Sequence, residues 1–506
     1  MLSTALPAEP SGIHRRLAWR VMFLLLAVWL AACLWLSRDH YLDDTLIGLR
    51  YATHFAHSGY STYDGTGRNS GSSSPLYVVI LSAAQLIHPN LYNPKIVNDI
   101  LFLFLVLFAA AWITRSSAGP QRWWWLVLLL TLVGPMGIRW LTDGMETGLV
   151  ALLAVLFSYR TLSAESRPAA WLMMPFCMLA VFTRVEFAYL AAAAVLALAA
   201  LAVLGSAGST QAGQHLVTAA SLALGTIAGI LLLRLYWGAF LPDTAVAKSS
   251  GPSAAAVLVI PRSIVAAGSL GLGIVALWLC TVFFLLFRQK DARARICACA
   301  NLAIPLLFLM IGIRGQKIEG IRHLLWAFVF LGAWNLVLLA RHHPASSSLL
   351  SKRLAQFVCL MLVACYAMEA RTVLRIVAGR SESLRRMHRD NLGVLRDQTG
   401  MANDIGFIGY FSGASFCDLG GLVNGTKFAM MTPEERLAAC AARQPAFAFL
   451  DADQKRAVAK VIPIDDWAAC AAYEFPNVSN PDVHYLLLAP RLSSICDGLR
   501  SRPADQ

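Results

Sequence analysis

Apolar runs long enough to cross a bilayer recur from about residue 19 to about residue 371, and this repetition constrains the fold more than any motif does. In lipid the backbone must satisfy its own hydrogen bonds, so each run reads as a helix. The candidate spans are 19–37, 96–114, 122–138, 144–160, 169–182, 186–204, 216–236, 262–287, 295–313, 322–340 and 354–372. The run 76–87 is shorter than the roughly 20 residues a span needs and reads as an interfacial or re-entrant helix. Only 14% of residues are charged, against about 25% in soluble domains. The expected class is an all-α polytopic membrane protein of about eleven transmembrane helices with a small α/β C-terminal domain.

The net charge of +13 does not point to nucleic acid, because no basic stripe with interleaved aromatics is present. Lys and Arg gather instead in short loops between apolar runs, the pattern of cytoplasmic loops. The basic loops 288–295 and 341–353 are therefore placed inside. Counting back puts 115–122 and 160–168 inside as well, and the N-terminus too if 76–87 does not cross. His14, Arg15, Arg16 and Arg20 precede the uncharged run 21–36, which is too long for a signal core and lacks a small-residue cleavage site. The layout is a cytoplasmic segment 1–18, a membrane domain 19–372 with a large first outer loop 38–95, and a soluble outer domain 373–506.

The cysteines support that layout. Cys417, Cys440, Cys470 and Cys496 lie in the polar C-terminal part and fit two disulfides in an oxidising compartment, with three pairings open. Thr432, Pro433 and Glu435 form a capping box with proline at the first helical position. Segments 405–410 and 484–488 read as strands.

The acid-bearing loops share the outer face in this topology. Asp43 and Asp44 follow the first span. Two adjacent carboxylates at a membrane face are costly unless they have a task. One task is to take a proton from an attacking hydroxyl and to stabilise an oxocarbenium-like transition state; like charge and burial would raise one pKa and make a better base. The other reading is a solvated loop or a cap on a helix over 45–55. Segment 68–75, with Arg68, Ser73 and Ser74, is either a flexible linker or a loop whose small residues approach a sugar or phosphate. Pro75 suits the first position of the interfacial helix. Asp143 and Glu146 read as a helix cap or as site carboxylates. Arg184 and Glu186 sit in a short polar turn at membrane depth and must pair with each other or with a substrate. Lys248, Arg322 and His323 supply outer-face cations for a lipid phosphate, or snorkel at the interface. The sequence carries no HExxH, CxxC, GxSxG or Walker motif. No cofactor or metal ligand set is assigned, and a divalent cation stays open.

These short motifs, in their order, resemble one family. The segments 41–52 (Asp43, Asp44, Arg50), 73–77 (Ser73, Ser74, Pro75), 143–147 (Asp143, Glu146), 183–186 (Arg184, Glu186), 241–248 (Asp243, Lys248), 320–323 (Arg322, His323) and 409–422 are similar to the bacterial GT-C membrane glycosyltransferases. The similarity is closest to the branch of the mycobacterial terminal arabinofuranosyltransferase. This chain departs from the family in carrying Val185 between Arg184 and Glu186, where proline is usual, and Asn69 to Ser73 before Pro75. The resemblance implies inverting transfer of a sugar, an arabinofuranose in that branch, from a polyprenyl-phosphate donor. The acceptor would be a cell-envelope glycan, lipid or protein, reached on the periplasmic face of the bacterial inner membrane. It also implies a catalytic carboxylate in the first outer loop, here Asp43 as base with Asp44 as its partner. Arg50, Arg68, Ser73, Ser74, Asp143, Glu146, Arg184, Glu186, Lys248, Arg322 and His323 would contact donor or substrate. The alternatives are an O-antigen ligase or polymerase with a lipid-pyrophosphate donor, and a lipid-linked-sugar transporter, which should show inverted repeats and broken helices.

Overall fold

The computed structural model of the 506-residue chain describes residues 12–65, 67–115, 120–163, 170–204, 209–240, 242–247, 268–287, 349–476 and 483–500. Among the described residues, thirteen helices build the membrane part: α1 (Gly12–Leu36), α2 (Asp43–Ser58), α3 (Pro75–Ile87), α4 (Asn93–Arg115), α5 (Pro120–Val133), α6 (Pro135–Leu141), α7 (Thr147–Ser163), α8 (Met173–Thr183), α9 (Phe187–Leu204), α10 (Ser209–Trp237), α11 (Asp243–Ala247), α12 (Gly268–Phe287) and α13 (Leu349–Arg389). The expected spans 295–313 and 322–340, and the first part of 262–287, lie outside the described residues; the described parts of the others each fall on a helix or helix pair.

Four described helices, within α1, α4, α10 and α13, are long and apolar enough to cross a bilayer. Leu24, Leu231 and Leu360 on them are more than half exposed. In water that surface would be a large liability; in lipid it is the solvated face, and the chain is a multi-pass membrane protein. The expected span 122–138 is broken. Gly134 lies between α5 and α6 and Pro135 opens α6, so the axis bends by 64°. Helix α8 packs along α10 where Gly225 and Gly229 leave no room for a Cβ against the Met174 carbonyl and Val181, a close approach of the small-xxx-small kind. Helix α13 is 41 residues long and passes position 372 without a break.

The C-terminal lobe is a five-stranded sheet. Its strands are β1 (Thr399–Ala402), β2 (Ser415–Asp418), β3 (Phe447–Asp451), β4 (Trp467–Glu474) and β5 (His484–Pro490) in the order β2-β1-β3-β5-β4. β1 runs parallel to β2 and β3, and β5 runs antiparallel to β3 and β4. Strand periodicity gives β3 two apolar faces. Ala448 and Leu450 join a lobe core with Met401 and Ile464, whereas Phe447 and Phe449 belong to the core that continues into the membrane part. Disulfides join Cys417 to Cys440 and Cys470 to Cys496, resolving the pairing that spacing left open. The capping box at Thr432 and Glu435 opens the helix Pro433–Ala442.

One expected strand is a helix. Segment 405–410 alternates apolar residues with glycine, yet the structure has α14 (Gly406–Ser412) there, closed by Gly413 at φ 65°. The cause is tertiary. Both Asp43 carboxylate oxygens accept backbone N–H groups at its start, from Gly406 and Phe407, each at 2.9 Å. Arg50 donates to the Gly409 carbonyl at 2.6 Å and the Ala414 carbonyl at 2.9 Å at its end. Asp43 and Arg50 lie seven positions apart, about two turns, and so share one face of α2. The helices α2 and α14 thus run side by side in one direction, with an anion at the positive end of α14 and a cation at its negative end. Gly406 packs so closely on the Asp43 backbone that a Cβ would not fit.

Two predictions follow from these contacts. Arg50→Met removes the charged donor from several buried carbonyls and should cost roughly 2–4 kcal/mol. The readout is a lower unfolding midpoint with earlier protease release of the lobe, and an unchanged protein would discount the clamp. Replacing Cys417 and Cys440 by serine should cost about 2–4 kcal/mol of lobe stability, and peptide mapping without reductant should recover only the two stated pairs.

Candidate active site

Segment 44–48, segment 71–78, the 142–147 turn, α11 and the lobe meet around a cavity. Asp44, Thr45 and Gly48 of α2 form one wall, and Gly71 to Ser73 with Tyr77 of α3 form the next. Gly144 to Glu146, Thr244 of α11 and Leu422 of the lobe complete it. Successive residues of a helix point about 100° apart, so the acidic pair divides its duties. Asp43 turns to the lobe; Asp44 lines the cavity. Burial pushes the Asp43 carboxyl well above the usual carboxylate range; Asp404 and Asp44 add to this, and its two backbone donors oppose it. The expected rise in one member of the pair is therefore present, on the member that grips α14.

The Gly/Ser segment is no flexible linker. Ser70 N–H donates to Asp243 Oδ2 at 3.0 Å, and Asp243 N–H donates back to the Ser70 carbonyl at 3.1 Å. The Gly71 N–H donates to the Tyr51 hydroxyl at 2.8 Å, and that hydroxyl donates to Asn69 Oδ1. A side chain on Gly71 would strike the Leu422 carbonyl. Pro75 stands at the start of α3 as expected, with Ser74 before it.

The turn 142–147 is not a capping box. Helix α7 begins only at Thr147, so Asp143 is too far upstream to cap it. Its Oδ1 accepts the Met145 N–H at 2.9 Å, and its carbonyl accepts from Thr45 Oγ1 at 3.0 Å. Gly144 adopts φ 85°, and a Cβ there would sit 2.7 Å from Thr45. That close approach brings Glu146 into the same cavity as Asp44.

Arg184 ties the far side together. Its guanidinium lies 2.6 Å from Glu146 and 3.7 Å from Glu186 and donates to Ser73 Oγ at 2.9 Å. It is 4% exposed. Burial alone would disfavour its charge, but Glu146, Glu186 and Asp44 outweigh that and hold it protonated. The internal ion pair, one of the two readings for Arg184 and Glu186, is present, and it extends to Glu146.

The residues singled out in the sequence thus fall into three groups. Asp44, Ser73 and Glu146 line the cavity, with Arg184 and Glu186 behind them. Asp43 and Arg50 fasten the lobe, Ser74 is buried at the start of α3, Asp143 shapes its turn, and Arg68 is exposed. Lys248, Arg322 and His323 lie outside the described residues. Tyr77, Thr244 and Leu422 were missed. Tyr77 stood within the Ser73 to Tyr77 motif, where its hydroxyl, 2.8 Å from the Gly144 carbonyl, could have been sought. Leu422 closes the 409–422 motif, which carried no hint that it reaches this cavity.

No family model matches the sequence, and no curated protein does. Among solved structures, ArnT from Cupriavidus metallidurans, bound to undecaprenyl phosphate, is similar over 94% of this chain and 98% of that chain, with a TM-score of 0.59 and 14% identity. An Archaeoglobus fulgidus oligosaccharyltransferase tethered with an acceptor peptide matches over 84% of this chain and 69% of that one. Its TM-score is 0.45 and its identity 11%, too slight a likeness to build on. The likeness to ArnT is one of fold, and nothing in either match singles out the arabinofuranosyl branch.

Proposed function

We propose that this protein is an inverting glycosyltransferase that moves a sugar from a polyprenyl-phosphate carrier to a cell-envelope acceptor on the outer face of the bacterial inner membrane. The observation that carries the reading is the convergence of Asp44, Glu146 and the Ser73 held by Arg184 around one small cavity, about 40 Å³ in this structure. The shared fold with ArnT, whose structure contains undecaprenyl phosphate, supports the donor class. The branch resemblance makes a pentose such as arabinofuranose the sugar to try first.

In this reading Asp44, rather than Asp43, is the base. The acceptor oxygen attacks the anomeric carbon as its proton passes to the Asp44 carboxylate. The bond from that carbon to the phosphate oxygen breaks, and polyprenyl phosphate leaves with the electron pair. The negative charges of Asp44 and Glu146 favour the oxocarbenium-like transition state. Arg184 is a positioning residue, since its guanidinium is already engaged by two carboxylates and Ser73. Lys248, Arg322 and His323 are proposed, on sequence grounds, to meet the departing phosphate. A transporter would need broken helices in related repeats; one break, at Gly134, is present, and no counterpart to it occurs among the described residues.

Membranes containing the protein should release polyprenyl phosphate from labelled polyprenyl-phosphate sugar when an acceptor is present; carriage of the intact lipid without release would favour transport. Asp44→Asn should lower transfer at least ~100-fold at an unchanged unfolding midpoint, and near-normal turnover would remove Asp44 as base. Asp43→Asn should instead lose activity together with lobe docking, because an amide cannot accept both backbone donors. Arg184→Met leaves buried carboxylates unpaired and should destabilise by roughly 3–5 kcal/mol, with part of the loss recovered when Glu146→Gln is added.

A further inference from the structure

A second, much larger recess lies on the other side of the Asp43 clamp. It has a volume of about 1250 Å³ and is walled by the loop after α1, the turn before α4, the outer end of α13 and the C-terminal half of α14. We propose that this cleft binds the acceptor as a neutral oligosaccharide chain of several sugar units; the assignment of an acceptor rests on the glycosyl-transfer reading above.

Three observations point to that ligand class. The first is the lining. Tyr92, Tyr410, Phe411 and His388 all border the cleft. Tyr92 is 42% exposed, and its hydroxyl is held 3.4 Å from Asp39. Phe411 packs edge-on against both Tyr410 and His388. Such rings offer flat apolar faces at fixed angles, which suit the C–H faces of sugar rings.

The second is charge. The cleft is rich in arginine, but its arginines are matched: Arg38 with Asp39 at 3.7 Å, and Arg385 and Arg389 with Glu382 at 3.4 and 3.1 Å. Three cations against two carboxylates leave little net field for an anion. Ion-paired groups at a solvated wall still offer donors and acceptors in alternation, which is what a polyhydroxyl chain requires. A phosphate or anionic lipid headgroup would call for unmatched cations.

The third is position. Helix α14 begins on Asp43 and carries Tyr410 and Phe411 into the cleft. From Gly406 to Tyr410 the helix rises only about 6 Å. A chain lying in the cleft therefore passes within about one helical turn of the Asp43 end of α14, while the cavity that Asp44 lines shares no lining residue with the cleft. The volume exceeds the roughly 300–1,000 Å³ of ordinary small-molecule pockets and suits an extended ligand.

The test uses the full-length protein in detergent or nanodiscs, titrated with neutral linear oligosaccharides of three to six sugars of differing linkage. Binding is read by saturation-transfer NMR or calorimetry. At least one oligosaccharide should bind; Tyr92→Ala and Phe411→Ala should each weaken it at least tenfold, and Tyr92→Phe should retain it. Asp44→Asn should bind normally, which separates this proposal from the assignment of the base. Absence of binding by every oligosaccharide, binding indifferent to both alanine variants, or binding only of vesicles containing phosphatidylglycerol would each overturn the cleft assignment and leave the donor reading standing. Intact oligosaccharide binding in a protein that fails to release polyprenyl phosphate would support the cleft and remove the transferase.

Discussion

The lobe and the membrane part are held in register by one helix gripping another. Asp43 takes the N–H groups at the start of α14, and Arg50 takes the carbonyls at its end. Parallel helices side by side repel through their dipoles. Here each end of α14 meets a charge of the opposite sign, so the arrangement becomes favourable. Tyr63 reinforces the clamp: its hydroxyl donates to the Ile405 carbonyl at 2.7 Å, and its ring lies 4.3 Å beneath the Arg50 guanidinium. Arg50 and Tyr63 are buried, so loss of either leaves polar atoms unpaired where water cannot replace it.

The site follows from that clamp by helical geometry. With Asp43 fixed toward α14, Asp44 must point roughly a quarter-turn or more away, toward the Gly/Ser segment and the 142–147 turn. Asp243 and Tyr51 hold the first of these, Thr45 and Gly144 the second. The cavity is thus assembled from pieces that each have a separate structural reason to be where they are. Thr426 of the lobe also donates to Asp243 at 2.7 Å, so the lobe braces the wall of the cavity as well as the helix behind it.

What the sequence disclosed was local. Pro75 at the start of α3, the capping box at Thr432 and the apolar runs are readable because neighbouring residues determine them. The two jobs of Asp43 and Asp44 were not readable, since the partner that separates them, α14, lies more than three hundred positions away. The same distance explains why 405–410 looked like a strand: only the Asp43 carboxylate supplies the acceptors that let a glycine-bearing stretch close as a helix. Glu146 and Arg184 carried an ambiguous signal, cap or contact, that only their mutual approach resolved. Segment 68–75 left a linker and a ligand-approaching loop both open, because its small residues gave no hint of how tightly its backbone is tied.

Helix α13 has a mechanical meaning as well. At 1.5 Å per residue its 41 residues make a rod of about 60 Å, roughly twice the hydrocarbon thickness of a bilayer. Its far half is bonded to the lobe, through Arg380 to the Pro476 carbonyl and Ser383 to the Glu474 carbonyl. A bilayer that thickens or thins changes the tilt of such a rod. The end that carries these bonds moves with the rod, so the C-terminal sheet is mechanically coupled to the thickness of the lipid around α13.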